Sequence, residues 1–85
     1  MSEPRLLERV RNAIRVRQYR LATEKAYIGW IYRYILFHQK RHPAEMAKTE
    51  IEAFLSYLAI KREVSPSTQN QALQALLFLY RQVLG

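Results

Sequence analysis

Between Arg20 and Pro43 the chain reads RLATEKAYIGWIYRYILFHQKRHP. At about 100° per residue, Tyr27, Ile31, Tyr34, Ile35 and His38 fall on one face, with Ala26, Trp30 and Phe37 beside them. This spacing predicts a helix that begins near Leu21 and ends before Pro43, since a residue preceding proline is pushed out of the helical region. Its opposite arc carries Lys25, Gly29, Tyr32, Arg33, Leu36 and Lys40, a mixed basic and small surface that no core requires. That arc is the first place to look for function.

The same periodicity predicts three further helices. One runs from about Pro4 to Gln18, with Ser2 or Glu3 near its N-cap and Leu6, Leu7, Val10, Ala13 and Ile14 as its buried stripe. A loop from His42 through Lys48 leads to a helix over about Glu50–Lys61. There Thr49 and Glu52 form a capping-box pattern, and Ile51, Phe54, Leu55 and Leu58 repeat at i, i+3, i+4, i+7. Ser65 as N-cap and Pro66 as first residue open the last helix, to about Leu84. Ala72, Leu73, Leu76, Leu77, Leu79, Tyr80, Val83 and Leu84 are its apolar side; Ser67, Asn70, Gln71, Gln74 and Gln82 line the other. Phe78 sits among these polar positions and reads as an exposed aromatic. His38, on the core face of its helix, reads as a hydrogen-bonded core residue.

Eighty-five residues, 49% of them hydrophobic, suffice for one domain with a modest core. With two Gly and three Pro, local propensity favours helix nearly throughout, so the fold class is all-α, a four-helix bundle. No cysteine is present and two isolated His make no zinc site, so neither a metal nor another cofactor is expected. No apolar run approaches the roughly 20 residues of a membrane span, and MSEPRLLERVR has no signal-peptide core. A cytoplasmic location without membrane attachment follows as the expectation.

Fourteen Lys and Arg against seven Asp and Glu leave a charge of +7 and a pI near 10.2. This balance points to a polyanionic partner, nucleic acid first. Six arginines at 5, 9, 11, 15, 17 and 20, against Glu3 and Glu8, place +4 of that charge in the first twenty residues. Most of them read as solvated surface and a share as phosphate contacts. Glu50 and Glu52 argue that the start of the third helix does not face a polyanion. Basic residues precede the second helix (Arg17, Arg20) and the fourth (Lys61, Arg62), and free N–H groups beside cations are natural phosphate sites. The amides of the last helix suit paired hydrogen bonds with adenine in the major groove, although Gln is also an ordinary surface helix former.

The segments TEKAYIGWIYRYILFHQKRHP, EIEAFLSYLA and SPSTQNQALQALLFLY closely resemble the N-terminal core-binding, SAM-like domain of phage-type tyrosine recombinases, specifically of integron integrases. The similarity spans about Arg11 to Leu84, and WIYRYILFHQKRHP is its most specific part. It implies an orthogonal four-helix bundle, residues 1–85 as one domain, forming one half of a clamp on a recombination attachment site. It implies that the second and fourth helices face the major groove through their N-terminal halves. Carried onto this chain, those positions are Arg20, Thr23, Lys25, Ser67, Thr68, Gln71 and Gln74; Lys61 and Arg62 join them as phosphate contacts on charge and position.

The resemblance also implies strand exchange through a covalent phosphotyrosine, made by a catalytic domain absent from this chain. DNA, that catalytic domain and a recombinase oligomer on DNA are the implied partners. None of the six Tyr has the surrounding motif of the nucleophile, so this segment is expected to bind and not to cut. A second reading is a helical protein-interaction module using Tyr32, Leu36 and Phe78. No Ser-His-Asp order, phosphate-cradling Gly loop, carboxylate pair or metal cluster supports a stand-alone enzyme. A helix-turn-helix repressor fits less well, because the link from Lys61 to Ser65 leads into a proline start and not through a short Gly turn.

Overall fold

The computed structural model describes residues 2–85, with side chains from Arg5 onward. Four helices follow in order: α1 Ser2–Val16, α2 Leu21–Phe37, α3 Lys48–Ile60 and α4 Pro66–Phe78, the last running into a π-helical turn over Leu79–Val83. No strand occurs among the described residues. The all-α expectation holds.

α2 is the central element and packs most extensively on α4, with α1 and α3 flanking it. Trp30, Ile31, Tyr34 and Ile35 from α2 meet Leu6, Val10 and Ile14 of α1, Phe54 and Leu58 of α3, and Ala72, Ala75, Leu76 and Leu79 of the last segment in one core. These are the stripes that the periodicity marks. Aromatic rings dominate the centre: Tyr34 and Phe37 each lie within 6 Å of Phe54, at 5.7 and 5.4 Å between centroids.

Two polar links cross this core. The Tyr34 hydroxyl lies 3.0 Å from that of Tyr80, which in turn donates to the Pro43 carbonyl at 2.8 Å. Burial pushes the Tyr34 phenol far above its ordinary range, so it stays a neutral hydrogen-bonding group. His38 Nε2 bonds the Glu50 carbonyl at 2.9 Å while its ring packs against Tyr34 and Phe37. It is the hydrogen-bonded core residue the pattern predicts.

The helix ends depart from expectation, for one repeated reason. α1 stops at Val16 and α2 at Phe37, each closed by a pair of backbone bonds around a left-handed residue: Gln18 (φ 58°) and Gln39 (φ 55°). The Tyr19 amide reaches the Ile14 carbonyl and the Gln18 amide that of Arg15; Lys40 and Gln39 repeat this on Ile35 and Leu36. This is the Schellman geometry, here with glutamine where glycine is usual. α2 therefore ends well before Pro43, which instead opens a short 3₁₀ turn to Glu45 and is buried.

Two caps also differ from the expected ones. α1 already includes Ser2, so neither Ser2 nor Glu3 is its N-cap. α3 begins two residues earlier than Thr49 and Glu52 suggest: its N-cap is Ala47, whose amide donates to Glu50 Oε1 at 2.7 Å. Thr49 is exposed, and Glu52 makes only an exposed pair with Lys48. Ser65 caps α4 as expected, its Oγ accepting from the Thr68 amide at 3.1 Å, with Pro66 in the first turn.

Candidate nucleic-acid interface

The first halves of α2 and α4 lie side by side and leave a shallow groove between them. Ala22, Thr23, Ala26 and Tyr27 form one wall; Ser67, Asn70, Gln71 and Gln74 form the other. The geometry follows from sequence spacing. Ala22 and Ala26, four apart, put methyl groups where larger residues would fill the gap, while the polar stripe of α4 recurs every three to four residues. The groove carries no carboxylate. Four of the nine residues singled out from the sequence, Thr23, Ser67, Gln71 and Gln74, meet here.

The other five do not line it. Arg20 is the N-cap of α2, in extended backbone with no side-chain hydrogen bond to the helix, and Lys25 is exposed one turn further on. Lys61 and Arg62 sit at the end of α3, both exposed. None of these four cations has a carboxylate within ion-pair distance among the described residues. Thr68 is turned to other work: its Oγ1 accepts from Ser65 Oγ at 3.1 Å, and with Arg62 it lines a second recess.

That second recess lies across Trp30 from the groove and is walled by Trp30, Phe37, Phe54, Tyr57 and Leu58, with Arg33 and Arg62 among its lining residues. The Arg33 guanidinium stacks over the Trp30 ring at 4.9 Å. The indole Nε1 of Trp30 donates to Gln71 Oε1 at 3.3 Å, joining the two hollows through one hydrogen bond. Neither Trp30 nor Arg33 stands out from helical phase as a site residue, because the phase places Trp30 at the core and Arg33 in solvent.

Most arginines of the N-terminal cluster are held by the fold. Arg15 makes two hydrogen bonds to the Glu24 carboxylate at 3.0 and 3.2 Å, and Arg11 approaches it at 3.5 Å. Glu24 is only 7% exposed, and the bond from Arg15 holds its carboxyl below the usual glutamate range against the opposing effect of burial. Arg9 donates to the Val83 carbonyl; Arg17 donates to the Ala13 carbonyl and to Gln82. The charge at the N-terminus thus staples α1 to α2 and to the end of the chain. A lone carboxylate in the first turn of α2, downstream of a run of arginines, is the signal that sequence reading passed over.

Phe78 corrects the sequence expectation outright. It is 6% exposed, with the Tyr19 and Tyr27 rings at 5.8 and 5.5 Å and the Arg17 guanidinium over its face at 5.6 Å. Residues from the α1–α2 link cover it, which the phase of α4 alone does not reveal. Tyr32 and Leu36 are exposed as expected, at 47% and 41%.

A four-helix domain with a carboxylate-free polar groove, and with exposed cations that have no carboxylate partner among the described residues, has the build of a binding module. Among the described residues there is no cluster of His, Asp and Glu that could hold a metal, and no helix long and apolar enough to cross a membrane. The chain belongs to the phage integrase N-terminal SAM-like domain family, which matches residues 6–85. It is 51% identical over 80 residues to proteins described as integrase/recombinase from Escherichia coli and from Pseudomonas aeruginosa. Each match covers 94% of this chain and 24% of the relative, so the chain spans about a quarter of the length of those proteins.

Proposed function

We propose that this domain is the DNA-contacting half-clamp of a site-specific tyrosine recombinase of the integron integrase type, facing its attachment site with the first halves of α2 and α4. The observation that carries this reading is the groove of Thr23, Ser67, Gln71 and Gln74, free of carboxylates; Arg20, Lys25, Lys61 and Arg62, exposed and without a carboxylate partner among the described residues, supply its phosphate contacts on this reading. Cations hold phosphate and fix register; hydroxyls and amides in the groove meet base edges. The relatives described as integrase/recombinase support the recombination context. Strand cleavage and rejoining belong, on this reading, to a catalytic domain elsewhere in the whole protein, and this domain contributes binding within a recombinase oligomer on DNA.

A half-clamp alone binds duplex with a Kd of about 10⁻⁴ to 10⁻⁶ M and a steep salt dependence. The test is an amide chemical-shift titration of the labelled domain with an integron attachment-site duplex at low and higher salt. Salt-sensitive shifts confined to Arg20–Gly29 and Lys61–Gln74 are expected. Salt-insensitive shifts centred on Tyr32 and Leu36 would favour a protein-interaction module instead, the reading that their exposure supports.

A further inference from the structure

The recess on the far side of Trp30 from the groove has a volume of about 660 Å³. That lies within the roughly 300–1,000 Å³ of sites that enclose a small ligand. Its floor is closed by the buried Trp30, Phe54 and Leu58. Its walls are apolar and reach solvent: Phe37 and Tyr57 are half-buried, with ring centroids 4.8 Å apart, and Leu36 is exposed. The lining carries two cations, Arg33 and Arg62, and no carboxylate. Neither arginine has an acidic partner among the described residues. Arg33 is also pre-positioned. Stacking over the Trp30 ring at 4.9 Å uses the face of its guanidinium and leaves the in-plane N–H groups for a carboxylate.

An occupant matched to this recess is apolar at its centre and anionic at its edge. Duplex DNA meets only the second condition, because its base faces are stacked inside and a thymine methyl is the largest apolar group it offers in the major groove. A peptide meets both, with one large apolar side chain as anchor and flanking acids on the arginines. We propose that the recess is a docking site for an acidic segment of a partner protein, which inserts a Leu, Phe or Trp side chain against Phe37 and Tyr57 and sets carboxylates on Arg33 and Arg62. Charge complementarity selects this occupant: a chain at +7, with two arginines and no acid in the lining, repels a basic segment and disfavours a second copy of itself. One consequence rests on the half-clamp reading, which gives Arg62 to phosphate. Docking and duplex binding then compete for Arg62, and the partner becomes a regulator of DNA release.

The probe is a display library of randomised short peptides selected against the immobilised domain. Enrichment of sequences in which Asp or Glu flanks a Leu, Phe or Trp is expected. The tightest of these, added to the labelled domain, should shift the amide resonances of Leu36, Tyr57 and Val64 and leave those of Thr23 and Gln74 in place. Arg33→Ala should weaken that peptide by about tenfold, and Leu36→Glu, which sets a like charge beside the acids, by at least as much. Both positions are exposed, so unchanged melting curves are expected for both variants. Arg33→Glu should lose the acidic peptide and regain affinity when Lys replaces an acid of the peptide, a rescue that a merely structural role for Arg33 does not produce. Recovery of no peptide, of peptides without acids, or of peptides that shift another surface overturns the proposal. So does a duplex that shifts Leu36, Tyr57 and Val64 as the peptide does, which assigns the recess to DNA, or a concentration-dependent shift of the same residues in the protein alone, which assigns it to a second copy. The half-clamp reading is judged separately, by duplex shifts at Thr23 and Gln74, and a bound peptide that leaves duplex affinity unchanged overturns the competition at Arg62.

Discussion

The protein carries two basic regions that look alike in sequence and differ in what their charges do. Four arginines in α1 and just after it are engaged: Arg11 and Arg15 on Glu24, Arg9 on a carbonyl of the chain's last turn, Arg17 on Ala13, Gln82 and the face of Phe78. The cations at the start of α2 and the end of α3 have no carboxylate partner among the described residues. Charge density is higher in the first region; availability is higher in the second. Counting charge therefore points to the region whose cations are engaged within the fold, and one carboxylate, Glu24, holds two of them.

The largest test of the first region is Phe78→Ser. Truncating a buried aromatic ring typically costs about 3–5 kcal/mol, and here it also removes the surface on which Arg17, Tyr19 and Tyr27 rest. Urea denaturation should show that loss. A nearly neutral result would mean that the cluster does not form and that Arg17 is available, which would dissolve the contrast between the regions.

Glu24→Gln comes next and is diagnostic through pH. The folded carboxyl lies below its ordinary value because Arg15 bonds the ionised form, so its contribution to stability is present above the unfolded glutamate pKa, about 4.3. It is lost as pH falls through the depressed folded value. The variant should have a lower Tm than wild type at neutral pH, and the two melting curves should converge in the acid range. A constant gap across pH would show that the Arg15 pairing contributes nothing through charge.

The two regions should separate most clearly on DNA. Replacing Lys25, Lys61 or Arg62 with Ala is expected to weaken binding to every duplex and to lower the salt slope by about one unit each, with melting behaviour nearly unchanged. Arg11→Ala and Arg15→Ala should do the reverse, lowering Tm and leaving the slope alone. Binding isotherms at several salt concentrations measure both. Equal slope losses in both sets would place the α1 arginines on phosphate after all.

The helices and their core stripes were legible because apolar periodicity reports burial directly: Leu6, Val10, Ile31, Tyr34, Phe54, Leu58, Ala72 and Leu76 are buried where phase puts them. The groove was legible in part, since phase groups Ser67, Gln71 and Gln74 and resemblance adds Thr23. What escaped depends on other elements. Phe78 is covered by a tyrosine from a link, Glu24 by arginines of another helix, and Gln71 is oriented by a tryptophan 41 residues away in sequence. Helical phase describes one element's faces and is silent on which neighbour arrives there. The helix ends escaped for a local reason: glycine, the usual mark of a left-handed C-terminal residue, is absent from all three links.

That absence makes the smallest prediction. Gln18, Gln39, Lys40 and Glu63 all adopt positive φ without being glycine. A left-handed conformation costs an L-residue about 1–2 kcal/mol, and glycine removes that strain. Glycine also loses more chain entropy on folding, about 0.5–1 kcal/mol, so the two effects oppose each other and the strain relief wins by little. Gln39→Gly is the cleaner site, since its side chain makes no hydrogen bond among the described residues and the backbone bonds around it are kept. A gain of about 0.5 kcal/mol is expected in denaturant unfolding, with DNA binding and its salt slope unaltered because residue 39 belongs to neither basic region. A loss would show that the Gln39 side chain holds the turn in some way that its backbone geometry does not reveal.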